Sequence, residues 1–101
     1  MTRTVIHYQT KPEATQRNTE LIEDVFRELS AAAPEGARYL VLRTAEGAFF
    51  HIVAYDNDGD DAGITDLPAF DAFTDGGAER RIAPPFRADV TVVGNYRMLA
   101  D

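Results

Sequence analysis

The sequence predicts an α+β fold in the order β-α-β-β-α-β, one antiparallel four-stranded sheet with two helices on one face. Three observations carry this. Residues 48–55, AFFHIVAY, are the most apolar run of the chain and read as a strand. A stripe of three-four spacing from Ala14 to Ala32 reads as an amphipathic helix. Pro84-Pro85 closes a second, glycine-interrupted helical stretch and opens a last extended segment.

With 101 residues the chain is expected to be a single domain, residues 1–101. A domain of this size keeps much of its surface in water, so pairing with another copy is a natural way to gain core. The net charge of −7 argues against a nucleic-acid partner, which needs a cationic footprint, and against docking on an anionic membrane. The chain has no cysteine, which removes disulfides, thiolate metal sites and cysteine nucleophiles. The start, MTRTVIHY, lacks the basic-then-apolar pattern of a signal peptide, and no apolar run approaches a membrane span, so a cytoplasmic location is expected.

Thr2 to Gln9 is rich in Thr, Val, Ile and Tyr and forms the first strand, with Thr4, Ile6 and Tyr8 on one side and Val5, His7 and Gln9 on the other. Thr10 and Glu13 have the spacing of a capping box, with Pro12 in the first turn, so the helix is expected to start there and to run to about Ala32. Its stripe holds Ala14, Asn18, Leu21, Ile22, Val25, Leu29 and Ala32, and Pro34-Glu35-Gly36 ends it. Ala37 to Thr44 and Ala48 to Tyr55 form a hairpin around Ala45-Glu46-Gly47. A second helix is expected from Thr65 or Asp66, interrupted at Gly76-Gly77. The last strand is expected to be long, Ala88 to Leu99, with Gly94 marking a bulge or a close backbone approach.

This order is the ferredoxin-like one, and right-handed crossovers place the first and third strands in the middle. Val41, Phe49, Val53 and Tyr55 share one parity; Leu40, Leu42, Phe50 and Ile52 share the other. The helices cover one face only. The set containing Val41, Phe49 and Val53 is expected on the face they leave open, where a monomer would expose a large apolar patch. Face-to-face pairing of two sheets as a twofold homodimer is the expected remedy.

The run YQTKPE at Tyr8–Glu13, the third strand, and LPAFDAF followed by APP before the last strand resemble the antibiotic-biosynthesis-monooxygenase-like (ABM) domains of the dimeric α+β barrel superfamily. The resemblance implies sheets paired across a dimer axis, with the last strand reaching over to the partner. It also implies a place among cofactor-free oxygenases, haem-degrading enzymes and isomerases. The tryptophan of the haem-degrading members is absent, its nearest equivalent being Tyr55. Ala69 stands where many members have histidine. No cofactor is therefore expected.

The candidate catalytic residues are His51, His7 and Tyr55. On an apolar sheet face, burial would keep His51 neutral and make it a usable base; His7, on the neighbouring strand, would share the task if both line one cavity, and Tyr55 would position the substrate. Asn18, Tyr39, Phe70 and Phe73 are candidate ligand contacts, aromatic walls and polar tips suited to a small aromatic ligand. Asn18 is a polar residue on an apolar stripe, most simply bonded to backbone. The loop Asp56-Asn57-Asp58-Gly59-Asp60-Asp61 fails the calcium-loop spacing in either register, so no metal is expected. The expected function is a cofactor-independent monooxygenase or isomerase acting on a small aromatic or enolisable compound. The alternative is a non-catalytic dimeric module that binds a ligand or a protein.

Overall fold

The computed structural model describes residues 1–100. Strand β1 (Thr2–Gln9) leads through a 3-10 turn (Pro12–Ala14) into helix α1 (Thr15–Ala32). Strands β2 (Ala37–Arg43) and β3 (Ala48–Tyr55) follow, then helices α2 (Ala62–Thr65), α3 (Pro68–Thr74) and α4 (Gly77–Arg80), and strand β4 (Phe86–Val90). The sheet is four-stranded and antiparallel in the order β2-β3-β1-β4, which puts the first and third strands in the middle as expected.

The covered face of the sheet is the reverse of the expected one. Phe49 and Val53, 1% and 8% exposed, lie in the core beneath the helices, while Leu40 and Leu42, 48% and 50% exposed, lie on the open side. Phe49 forms the core cluster with Tyr8 and Ile22, and Ile6, Phe26, Val41 and Phe73 pack around it. The physical reason is that alternation sorts side chains into two sets but does not say which set meets the helices. Both sets here are apolar enough to be core. Asn18, Leu21, Ile22 and Val25 of α1 are the buried residues that close on the chosen side.

Thr10 does not cap the helix. It is fully buried, its hydroxyl bonding to the Gly47 carbonyl at 3.1 Å and to the Thr15 hydroxyl at 2.7 Å, and its backbone N–H also reaches the Gly47 carbonyl. That binds the end of β1 to the β2–β3 turn, and Lys11 flanks the 3-10 turn instead, without a side-chain cap. The expected second helix is three short pieces: α2 ends at Thr65, α3 starts at Pro68 with Leu67 at its N-cap in place of the expected Thr65 or Asp66, and Gly76, φ 75°, separates α3 from α4 as the glycine pair foretold.

The last strand is much shorter than expected. β4 pairs with β1 from His7↔Phe86 to Arg3↔Val90 and stops there. Beyond it, Asn95 closes a local turn, its Oδ1 accepting from the Met98 and Leu99 N–H groups at 3.1 and 3.0 Å. Gly94 therefore lies outside the sheet and makes no bulge in it. Val92 and Leu99 line a hollow over the open face with Val5, Leu40 and Ile52, and Val93, Tyr96 and Met98 project into solvent.

Candidate functional site

A chain of hydrogen bonds crosses the core between the sheet and the helices. β3 places His51 on the covered face, 3% exposed, opposite Ile6 of β1 and Val41 of β2. Tyr8, two residues along β1 from Ile6, brings its hydroxyl to 2.8 Å from His51 Nε2. Tyr39 on β2 brings its hydroxyl to 2.6 Å from His51 Nδ1. Asn18 of α1 donates from Nδ2 to the Tyr8 hydroxyl at 2.9 Å and accepts at Oδ1 from Arg80 Nε at 2.8 Å. Arg80 is tied in turn to the carbonyls of Phe73 and Asp75. The Phe73 ring lies 5.6 Å from the imidazole of His51, and the Arg81 guanidinium lies 5.9 Å from the Tyr8 ring.

Burial sets the protonation of this chain. It lowers the His51 pKa to about 4, so the imidazole is neutral at neutral pH. Burial raises the Tyr39 hydroxyl well above its ordinary value, with Tyr8 and Tyr55 adding to the effect. Burial also raises Tyr8, opposed by the hydrogen bond from Asn18 and by Arg80 and Arg81. Both tyrosines are therefore protonated hydroxyls beside a neutral imidazole.

The chain meets a cleft at Tyr39. Ile6, Val53, Ile64 and Phe70 form apolar walls, Tyr39 lies among them, and Tyr55, Asp61, Thr65 and Arg87 complete the lining of a space of about 220 Å³. Tyr55 is pushed upward by burial and by the charge of Asp61. Short α2 positions Ile64, fully buried, and α3 positions Phe70 and Phe73.

The expected site residues thus divide. His51, Tyr39, Asn18 and Phe73 are brought together in the bonded chain, and Tyr39, Tyr55 and Phe70 line the cleft. His7 is elsewhere. Its partner on β3 is Phe50, on the opposite face from His51; it stacks on that ring at 4.4 Å and donates from Nδ1 to the Phe49 carbonyl at 3.0 Å. The two histidines share no cavity, because His7 and Ile6 are adjacent on one strand and Ile6, not His7, pairs with His51. Asn18 is bonded to two side chains rather than to backbone. Arg80 was not foreseen at all. Its signal in the sequence is only that a cation follows the Gly76-Gly77 break, in a segment with no clear periodicity.

Among the described residues no group of three or more His, Cys, Asp or Glu is placed to hold a metal ion, and no helix is long and apolar enough to cross a membrane. No protein-family model matches the chain, and no curated protein matches it in sequence. Solved structures do match. One from Nitrosomonas europaea, named as a candidate antibiotic biosynthesis monooxygenase, is 18% identical, superposes with a TM-score of 0.75, and is covered over 100% of its length by 93% of this chain. Similarly named structures from Bacteroides thetaiotaomicron and Caulobacter crescentus are 12% and 14% identical, with TM-scores of 0.76 and 0.73. They are covered over 95% and 90% of their lengths by 97% and 92% of this chain.

The chain has the fold of the ABM-like domains. In this ABM-like fold Ala69, which precedes Phe70, is 6% exposed, and its N–H donates to Glu28 of α1 at 3.0 Å. That position is given to packing α3 against α1.

Proposed function

We propose that the chain works as a homodimer paired through its open sheet face, and that each cleft takes a small aromatic or enolisable compound with its oxygen at the Tyr39 hydroxyl. The observation that carries this reading is Tyr39, a cleft-lining residue whose hydroxyl is backed at 2.6 Å by a buried neutral histidine. An enolisable carbonyl gathers negative charge on oxygen as it loses its proton to a base, for which Asp61 is the carboxylate in the cleft lining, and a fixed donor stabilises that charge. The enolate or phenolate so held is the electron-rich species through which a cofactor-independent oxygenase or isomerase works. His51 acts behind Tyr39, since both its ring nitrogens are engaged. The apolar surface of Leu40, Leu42, Val90 and Val92 supports the pairing.

The experiment is a thermal-shift screen of aromatic ketones and phenols on the wild type and on Tyr39→Phe, followed by deuterium exchange of the enolisable proton of each hit. Hits that lose most of their shift in Tyr39→Phe and exchange faster with the wild type support the reading. An unchanged hit list in Tyr39→Phe overturns it. A non-catalytic ligand-binding module is the second reading, favoured by the 3% exposure of His51. It predicts binding without accelerated exchange.

A further inference from the structure

We propose that Arg80 and Asn18 together fix which nitrogen of His51 carries the proton, and thereby make Tyr39 a hydrogen-bond donor toward the cleft. The proposal rests on the reading of that cleft as the ligand site, and its first test does not.

Each bond of the chain fixes the next, starting from the charged end. A guanidinium has donors and no acceptor. Arg80 Nε, 2.8 Å from Asn18, must therefore face the amide oxygen, and Arg80 is itself held in place by the carbonyls of Phe73 and Asp75. That turns the amide NH2 toward Tyr8, where it donates to the hydroxyl oxygen at 2.9 Å. The hydroxyl of Tyr8, a residue only 6% exposed, then has one proton to place, and its remaining partner is His51 Nε2 at 2.8 Å. Nε2 accepts, so it carries no proton. A neutral imidazole then has its proton on Nδ1 and donates it to the Tyr39 oxygen at 2.6 Å. The Tyr39 proton has no acceptor left inside the chain and turns to the cleft that Tyr39 lines.

The opposite tautomer would reverse both tyrosines and leave the Tyr8 proton in the core without an acceptor, which buried hydroxyls avoid. Arg80 and Asn18 are thus positioning residues: they touch no ligand, yet they decide what the cleft offers one. The ligand class follows. It presents a carbonyl or an anionic oxygen to Tyr39, an acceptor rather than a donor.

The test reads the tautomer directly in the ligand-free protein, by long-range proton–nitrogen correlation on 15N-histidine-labelled samples, with His7→Gln identifying the His51 signals. The wild type is expected to show the Nδ1–H form. Asn18→Asp is expected to invert it. One carboxylate oxygen keeps Arg80, the other accepts a hydrogen bond from the Tyr8 hydroxyl, Tyr8 then accepts from Nε2–H, and Nδ1 accepts a hydrogen bond from the Tyr39 hydroxyl. The same variant is expected to weaken carbonyl ligands roughly tenfold, the scale of one lost hydrogen bond. A wild type in the Nε2–H form, or an Asn18→Asp protein that keeps the Nδ1–H form, overturns the proposal. Should Asn18→Asp fail to fold, Arg80→Met frees the amide to turn and is expected to give mixed tautomers; a single Nδ1–H form there overturns it equally. The predicted tautomers without any ligand binding would instead remove only the reading of the cleft.

Discussion

His7 and His51 lie on opposite faces of one sheet, the first stacked on Phe50 at 4.4 Å and the second enclosed by Tyr8, Tyr39 and Phe73. Two histidines on neighbouring central strands thus have unrelated surroundings, and only one belongs to the bonded chain across the core.

Enclosure gives His51 a definite pH signature. Its pKa falls from 6.5 unfolded to about 4 folded, so the unfolded chain binds the proton first as pH drops. The stabilisation is complete above pH 6.5 and is lost progressively as pH falls toward 4. The loss is on the order of 3 kcal/mol at 1.36 kcal/mol per unit. Denaturant titrations at a series of pH values should show it in the wild type and show much less of it in His51→Gln. Equal acid sensitivity of the two proteins would contradict the enclosure.

The choice of covered face is measurable through side-chain truncation. Phe49→Ala empties a core site that is 1% exposed and should cost roughly 3–5 kcal/mol. Leu42→Ala, at a site 50% exposed, should cost well below half of that in dilute solution. Chemical denaturation of both variants gives the ranking, and the reverse order would place the helices on the other side.

For the proposed pairing, Leu40→Glu puts a charge in the middle of the open apolar face, where Leu40 is 48% exposed in a single protomer. Sedimentation should then show a wild-type dimer and a monomeric variant that keeps its circular dichroism. A wild type that sediments as a monomer at high concentration removes the pairing.

Gly47 sits at the hairpin turn with φ 90°, and a Cβ there would meet the Thr15 and Thr10 hydroxyls at 2.6 and 2.7 Å. Gly47→Ala therefore combines an unfavourable backbone with the displacement of two bonded hydroxyls. A loss of roughly 2–3 kcal/mol is expected by thermal or denaturant unfolding. Gly59, with φ 91° and open space around it, should lose only about 1 kcal/mol on the same change.

The strand order, the hairpin, the glycine break and the central place of the first and third strands were legible because each has a local signature of alternation, turn residues or helix breakers. The orientation of the sheet was not. Phe49 with Val53 and Leu40 with Ile52 are comparable apolar sets, and parity alone does not rank them. Asn18 held the missing information: a polar residue amid Leu21, Ile22 and Val25 needs a polar partner across from it, and Tyr8 with His51 is the pair on that parity. The end of β4 is hidden for another reason, since Val92, Tyr96 and Met98 alternate like a strand although the pairing with β1 stops at Val90 and Asn95 folds the following residues into a local turn. Arg80 lies in a short helical piece whose place is set by tertiary bonds to Asn18 and to two carbonyls, which no local pattern announces.

A layer oily on both sides has two ways round to receive its helices, and apolar area by itself leaves those alternatives close in energy. The buried polar chain from Tyr39 to Arg80 separates them. Turned over, the layer would carry His51, Tyr8 and Tyr39 together to the open side, take the Tyr8 hydroxyl away from the Asn18 amide on α1, and bring Asn18 against hydrocarbon. What crosses the core as a run of hydrogen bonds is thus also the device by which this small domain settles on a single native arrangement.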